Sequence, residues 1–385
     1  MPNVLILGAR SPVALDHARR FAAQGWRVVV ADSVACRITR WSRAVHAGET
    51  LPSARDDLRA YAQALIRVIM AHQIDLVLPT CEEVFYVARC RAHLPQDVRV
   101  LVAAFDTLAL LHSKWRFLDI ARDCGIPVPD SGLVREIGEA RTWAAGRPVV
   151  IKPEFSRFGV HVRRYPEGMP ADAEPFAARQ NWVVQTYCHG EELCSYSVVD
   201  HGRLLAHVTY RPLYRIRGSS GYVLQACKAP EIEAFVRALA QKTAFNGQLS
   251  FDWISAGQGQ YTVLECNPRA VSGVHLFASD AALPAALMGE VDAYVRPDPA
   301  ALRMIGPVML AAALMTSLRT VSLRQWWRDL HSARDVIGVA GDRRPLLGGL
   351  ADLASYARLA ARQRCSMREA STRDTEWDGE MLESP

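Results

Sequence analysis

The stretch that decides the fold reads Gln248-Leu-Ser250-Phe-Asp252-Trp-Ile254, then Gly257-Gln258-Gly259, then Tyr261-Thr-Val-Leu-Glu265-Cys-Asn267-Pro-Arg269. Two β-rich runs separated by turn glycines predict a hairpin. With the turn centred between Gln258 and Gly259, Asp252 and Glu265 lie equally far from it. They become direct cross-strand neighbours, with β-carbons about 5 Å apart. Carboxylates that close repel each other, and a divalent cation or a shared proton relieves the repulsion. Asn267 follows Glu265 by two residues and points to the same face. Two carboxylates and an amide oxygen, hard donors with room for water and phosphate, suit Mg2+. Solvent-facing acids on an ordinary hairpin are the alternative. Arg269 sets a planar, permanently charged fork beside this face, where a phosphate or carboxylate would sit; a solvated arginine is the bland reading.

Working outward, Pro148-Val-Val-Ile-Lys152-Pro153 is a short strand with a lysine in an apolar run. An ammonium there must reach a partner, either a phosphate or a structural carboxylate. The chain has 45 basic residues and only four are lysines (Lys114, Lys152, Lys228 and Lys242), so lysine is kept for few places. Glu154-Phe-Ser-Arg-Phe-Gly159-Val160 follows, a loop able to cover phosphates with backbone N–H groups. Trp182-Val-Val-Gln185-Thr186-Tyr187 is a further strand, and Gly190-Glu191-Glu192 after it offers a carboxylate for two ribose hydroxyls.

This ordered set resembles the ATP-grasp superfamily of carboxylate-amine and carboxylate-thiol ligases, over roughly residues 1 to 290. The matching pieces are Lys114 in His-Ser-Lys-Trp-Arg-Phe, Lys152 in Val-Val-Ile-Lys-Pro, Val-Val-Gln-Thr-Tyr before Gly-Glu-Glu192, Asp252 in Ser-Phe-Asp-Trp, and Glu265-Cys-Asn-Pro-Arg269. The resemblance implies that Lys114 and Lys152 bind the α- and β-phosphates of ATP. Gln185, Thr186, Tyr187 and Cys188 would read adenine, and Glu192 would hold the ribose. Asp252, Glu265 and Asn267 would bind Mg2+, and Arg269 with Lys152 would serve catalysis. The implied reaction phosphorylates a substrate carboxylate and couples the acyl-phosphate to a nucleophile, most often an amine, releasing ADP and phosphate. A phosphotransferase on the same fold and a non-catalytic nucleotide-binding regulator are the alternatives. The loop at 156–160 departs from the family by lacking its run of glycines.

The fold expected is α/β and α+β. Residues 1–110 read as a doubly wound α/β domain with strands Val4–Leu7, Arg27–Asp32, Asp75–Pro79 and Val98–Val102, and helices over Val13–Gln24, Ser53–His72 and Glu82–Ala92. A helix is expected from Asp106 to Cys124. Residues 111–290 would form a two-lobed ATP-grasp domain, with a small lobe over 111–185 and a large lobe over 186–290. Residues 291–385 read as a mainly helical C-terminal region. Gly8-Ala-Arg10 and Asp32 invite a dinucleotide-binding reading, but the G-x-G-x-x-G fingerprint is missing.

The 385 residues are half hydrophobic and carry a net charge of +5. Without a dense basic block, no nucleic-acid partner is expected. Nine cysteines without a C-x-x-C pair indicate neither a disulfide framework nor a zinc site. No secretory signal is visible at the start. The longest apolar run, Met304 to Leu318, falls short of the about 20 residues of a membrane span, so it reads as a buried helix and the protein as cytoplasmic, with no membrane partner. Small-molecule carboxylate and amine substrates are the partners expected, and the chain would act alone or as a homodimer.

Other residues remain candidates for substrate binding. Glu82 and Glu83 follow a parallel strand at its ligand-gathering end, or simply form an acidic first helical turn. Arg211, Arg215 and Arg217 stand with two tyrosines in Tyr210-Arg-Pro-Leu-Tyr214-Arg-Ile-Arg217, an anion site or a solvated basic loop. His275 is a further candidate, with a structural role as its alternative. The acidic tail around Trp377 either is free or docks on Arg211 to Arg217 as a lid.

Overall fold

The computed structural model describes all residues except 36, 157–160, 177–179, 216–220, 280–281, 313–321 and 384–385. Five parallel strands form the first sheet: β1 (Asn3–Leu7), β2 (Arg27–Asp32), β3 (Ala47–Thr50), β4 (Leu76–Leu78) and β5 (Arg99–Val100), in the order β3-β2-β1-β4-β5. Val4 to Leu7, Val28 to Ala31 and Leu76 to Leu78 are apolar and almost wholly buried, as strands covered on both faces must be. Strand β3 was not expected. Its Ala-Gly-Glu-Thr sequence alternates half-buried and exposed positions on the sheet edge and has no β-branched run.

Helix α1 (Pro12–Ala23) is capped by Ser11, whose Oγ accepts from the Ala14 N–H at 3.1 Å, with Pro12 in the first turn. Helix α2 spans Leu58–Ala71, starting later than expected, because Asp57 is its cap (Ala60 N–H to Oδ1, 2.8 Å) and Ser53 caps only the preceding turn. Helix α3 is Glu83–Cys90. The helix expected over 106–124 is two, α4 (Phe105–His112) and α5 (Phe117–Asp123). The chain breaks at Ser113, whose hydroxyl donates to Glu154 and accepts from the Arg116 N–H, while the Lys114 N–H donates to the Glu154 carbonyl at 3.1 Å. The break leaves Lys114 facing the cleft.

The small lobe packs α6 (Ile137–Ala144) on an antiparallel sheet of β6 (Ser131–Val134), β7 (Val149–Pro153), β8 (Arg163–Tyr165) and β9 (Trp182–Thr186), ordered β6-β9-β7-β8. Val149, Ile151, Trp182 and Val184 form its core with Ala140 and Phe176.

The large lobe is built on β10 (Glu191–Asp200), β11 (Arg203–Arg215), β12 (Gly221–Cys227), β13 (Gly247–Gly257) and β14 (Gln260–Asn267). Helix α7 (Pro230–Lys242) covers one face through Phe235, Val236 and Leu239 against Leu249, Phe251 and Trp253. The other face takes Val274 and Phe277, near helix α8 (Leu283–Leu287), together with Ala14, Ala18 and Phe21 of α1. That shared core fixes the first domain against the large lobe.

The C-terminal region carries the expected helices, α9 (Gly306–Ala312), α10 (Leu323–Ser332), α11 (Pro345–Gln363) and α12 (Met367–Ala370). It is not helical throughout. Strands β15 (Leu302–Met304) and β16 (Arg334–Asp335) extend the large sheet to β14-β13-β10-β11-β12-β15-β16, because β12 offers Val223 to Gln225 as a free edge. The apolar run from Met304 thus starts in a strand and continues in α9; its end lies outside the described residues. No helix among the described residues is long and apolar enough to cross a membrane.

The tail corrects the lid expectation. Trp377 is buried, but against Phe85, Phe105, His112 and Phe155, with ring centroids 4.9 to 6.2 Å away. Asp374 pairs with Arg10 and Asp378 with Arg55, each at 2.6 Å. Arg211 and Arg215 are already paired with Glu191 and Glu192, so they offer the tail no unbalanced charge; Arg217 lies outside the described residues.

Candidate active site

A cavity of about 350 Å3 opens between the small sheet and the large sheet, with the first domain closing one end. Its floor is the hairpin of β13 and β14. Asp252 faces Glu265, Phe251 faces Cys266 and Ser250 faces Asn267, the register expected from the turn glycines. Between Glu265 and the turn, β14 carries a bulge at Leu264, and β13 compensates at Ala256.

Charge is concentrated at this floor. Burial, and then the Glu265 carboxylate, push the Asp252 carboxyl upward. Burial opposes ionisation of Glu265 as well, but Lys114 and Lys152 outweigh it and hold that carboxyl down. Without a cation, the pair therefore holds a proton more tightly than two separate carboxyl groups would. The two ammonium groups stand 3.9 and 3.7 Å from Glu265 Oε2, and Lys114 also donates to the Ser156 carbonyl at 2.8 Å. Burial lowers the Lys152 pKa, with Glu265 only partly restoring it. Asn181 and Ser113 both donate to Glu154, so a buried network braces Lys114 from behind.

The same floor fits a hard divalent cation. Asn267 donates to Asp252 Oδ2 at 3.4 Å, and its Oδ1 accepts from Arg269 Nη2 at 3.0 Å. Among the described residues no cluster of three or more His, Cys, Asp or Glu side chains is arranged around one metal position. The chain thus offers two carboxylates and an amide, an incomplete shell that suits an ion keeping water and phosphate ligands, as Mg2+ does.

At the other end, Gln185, Thr186, Tyr187 and Cys188 leave β9 along the cavity wall, and Glu192 and Leu193 continue it. Glu192 is bound to Arg215 at 2.5 Å. Thr80, Cys81 and Val13 close the far end from the first domain, where Gly8 (φ +69°) allows the close approach of Thr80: a Cβ there would lie 2.7 Å from its hydroxyl.

Four substrate-binding candidates do not reach the cavity. Glu82 is fully enclosed and lies 3.4 Å from Nε of Arg269, which does line the cavity. Glu83 accepts the Thr80 and Cys81 N–H groups at 2.8 and 2.9 Å, holding the turn between β4 and α3. His275 is buried on Asp16 at 2.9 Å, and Arg211 points to Glu191 at 2.8 Å. Arg215 does line the cavity. The loop expected over phosphates lies outside the described residues at 157–160.

Sequence reasoning passed over Cys194 and Leu224, which also line the cavity, and met Tyr210 only as part of the basic segment. Cys194 sits opposite Asp252 and directs its thiol to Oδ1 at 3.2 Å. Its position two residues after Glu192, hence on the same face, was the available signal.

A scan of family models finds no match, and neither does a search of curated proteins. Solved structures do match, at probability 1.00, and the class they define is the ATP-grasp fold, which this chain has over most of its length. One is the ADP complex of an N5-carboxyaminoimidazole ribonucleotide synthetase, with TM-score 0.60 and 14% identity over 81% of this chain and 84% of that one. A biotin carboxylase from Campylobacter jejuni gives 0.59 and 14% over 79% and 74%. An L-amino acid ligase from Bacillus licheniformis gives 0.55 and 16% over 77% and 78%.

Proposed function

We propose that this protein is a magnesium-dependent ligase that uses ATP to phosphorylate a carboxylate and then couples the acyl group to a nucleophile, an amine. The observation that carries the reading is the facing pair Asp252 and Glu265, with Lys114 and Lys152 both on Glu265, at the floor of a cleft between two sheets. Solved structures of this fold include an ADP complex and two ligases or synthetases, which supports it.

In this reading adenine lies along Gln185 to Cys188 and the ribose meets Glu192 once Arg215 yields. Lys114 and Lys152 neutralise the phosphates. Asp252, Glu265 and Asn267 would hold Mg2+, which when bound would supply positive charge to offset that on the transferring phosphoryl group. Arg269, aimed by Glu82, fixes the substrate carboxylate for attack on the γ-phosphate. An oxygen–phosphorus bond forms as the bond to ADP breaks. Attack of the nucleophile on the acyl carbon then expels phosphate. Positioning and electrostatics carry most of the rate, so no dedicated base is required.

The test is a screen for ADP and phosphate release over carboxylic acids paired with amines, with products weighed by mass spectrometry. An amide formed with ADP is expected. A phosphorylated product that accumulates would make the protein a phosphotransferase, and nucleotide binding without turnover a regulator.

A further inference from the structure

The far end of the cavity specifies the acid. We infer that the carboxylate substrate is an apolar acid without an α-ammonium group, rather than an amino acid; the inference rests on the ligase reading above. Beyond Asp252 and Asn267, the wall is made by Val13, Tyr210, Leu224, Ala270 and Val271, with Arg269 as the cation that meets a carboxylate.

The hydroxyls of Thr80 and Tyr210 in this wall are already engaged within the protein. The Thr80 hydroxyl donates to the Leu7 carbonyl at 2.7 Å. The Tyr210 hydroxyl is hydrogen-bonded to Cys194, and the Cys194 thiol is directed to Asp252. Every nearby acid is likewise committed. Glu82 is sealed beneath Arg269, and Glu83 holds two backbone N–H groups. Asp16 is held by Arg20 and His275, and Glu192 by Arg215. Asp252 and Glu265 face the lysines and the metal position. Among the described residues no carboxylate is left for an ammonium at this end.

An ammonium group bound here would lose its water against Val13, Leu224 and Val271 and stand beside the like charge of Arg269. A desolvated, unpaired charge is costly, whereas an alkyl or aryl group gains by the same burial. The wall therefore discriminates by charge rather than by size.

Hydroxylamine tests this without knowledge of the natural nucleophile. It attacks the acyl-phosphate through nitrogen, expels phosphate, loses a proton and leaves a hydroxamate, which added ferric ion converts to a coloured complex. Acids are compared in pairs that differ only in the ammonium, such as 4-methylpentanoate with L-leucine and 3-phenylpropanoate with L-phenylalanine, with MgATP binding followed separately by calorimetry. Hydroxamate and ADP are expected from the apolar member, on the order of a hundredfold faster than from its amino acid. Equal or faster reaction of the amino acids overturns the inference, as does MgATP binding without hydroxamate from any apolar acid. Failure to bind MgATP at all would instead remove the ligase reading beneath it. Val13→Asp gives a second test. Position 13 is in the first turn of α1 and lines the cavity, so the new charge meets the bound acid; Val13 is also part of the core shared with the large lobe, so the variant is compared after cooperative unfolding has shown it folded. The preference for the apolar acid should fall in this variant; an unchanged ratio counts against the inference.

Discussion

The carbonyl oxygen of Leu264 lies 3.3 Å from Lys152 Nζ. Leu264 is the residue that the hairpin register skips, so the bulge in β14 turns a backbone acceptor out of the ladder and toward the small lobe. Lys152 comes from β7, in the other sheet. The two lobes are thus joined across the cleft by an ammonium on a neutral oxygen, with Glu265 beside it at 3.7 Å. This is a weak hold for a buried cation whose pKa burial already lowers. A phosphate entering the cleft would supply the charge that the carbonyl lacks.

Lys152→Ala should therefore weaken MgADP binding by about 2–5 kcal/mol, the cost of removing one member of a desolvated charge pair. Isothermal calorimetry checks it. Unchanged affinity would assign Lys152 to holding β14 rather than nucleotide.

Glu265→Gln removes a charge without volume. Turnover should be lost while the far-ultraviolet spectrum and cooperative unfolding persist. Burial opposes ionisation of this carboxylate and two lysines sustain it, so the variant also leaves Lys114 and Lys152 facing each other with less compensation. Near-normal activity at low Mg2+ would mean that Glu265 is not a metal ligand.

The hairpin was legible because the two-residue turn at Gln258-Gly259 fixes register, the bulges at Ala256 and Leu264 cancel, and register fixes which side chains meet. Lys152 was legible for a related reason: a charged residue in an apolar run must have somewhere to go, whereas Lys114 and Gln185 entered only through the resemblance. Pairings set by distant segments were not. Arg211 with Glu191 and Arg269 with Glu82 depend on how strands and domains lie together, and nothing near either arginine in the chain announces its partner. The tail shows both sides. Trp377 was recognisable as an anchor from its apolar surface among acids, but its socket is assembled from Phe85, Phe105, His112 and Phe155, three separated stretches of chain.

The Asp252 carboxyl predicts how Mg2+ binding depends on pH. Its pKa is raised in the folded, metal-free protein, first by burial and then by Glu265. Such a group contributes stability below its unfolded pKa of about 4 and loses it as pH rises through the higher folded value. The metal-free protein should lose thermal stability between about pH 5 and about pH 8, and the stabilisation by Mg2+ should grow over the same range as the cation replaces the proton. Scanning fluorimetry with and without Mg2+ measures both. Asp252→Asn should flatten both trends; a Mg2+ shift equal at both ends of the range would sink the assignment.

The last prediction concerns Trp377. Its ring lies 5.0 Å from Phe155 and 6.2 Å from His112, centroid to centroid. Phe155 is flanked by Glu154, which braces Ser113, and by Ser156, whose carbonyl receives Lys114. His112 stands two residues before Lys114. The tail ring thus touches both pieces of backbone that place that lysine, while Asp374 and Asp378 tie the tail to Arg10 and Arg55 of the first domain. Trp377→Ala would open a hole at this junction and cost about 3–5 kcal/mol if the site does not collapse. Stability alone would not separate a general structural role from one directed at Lys114, so the informative readout is nucleotide affinity in protein that remains folded. Trp377→Ala should weaken MgADP binding, Trp377→Phe should largely restore it, and Lys114→Ala should show little further loss when combined with Trp377→Ala, since neighbouring contributions to one contact do not add. Full additivity in that double variant would mean that the tail stabilises the fold without positioning Lys114.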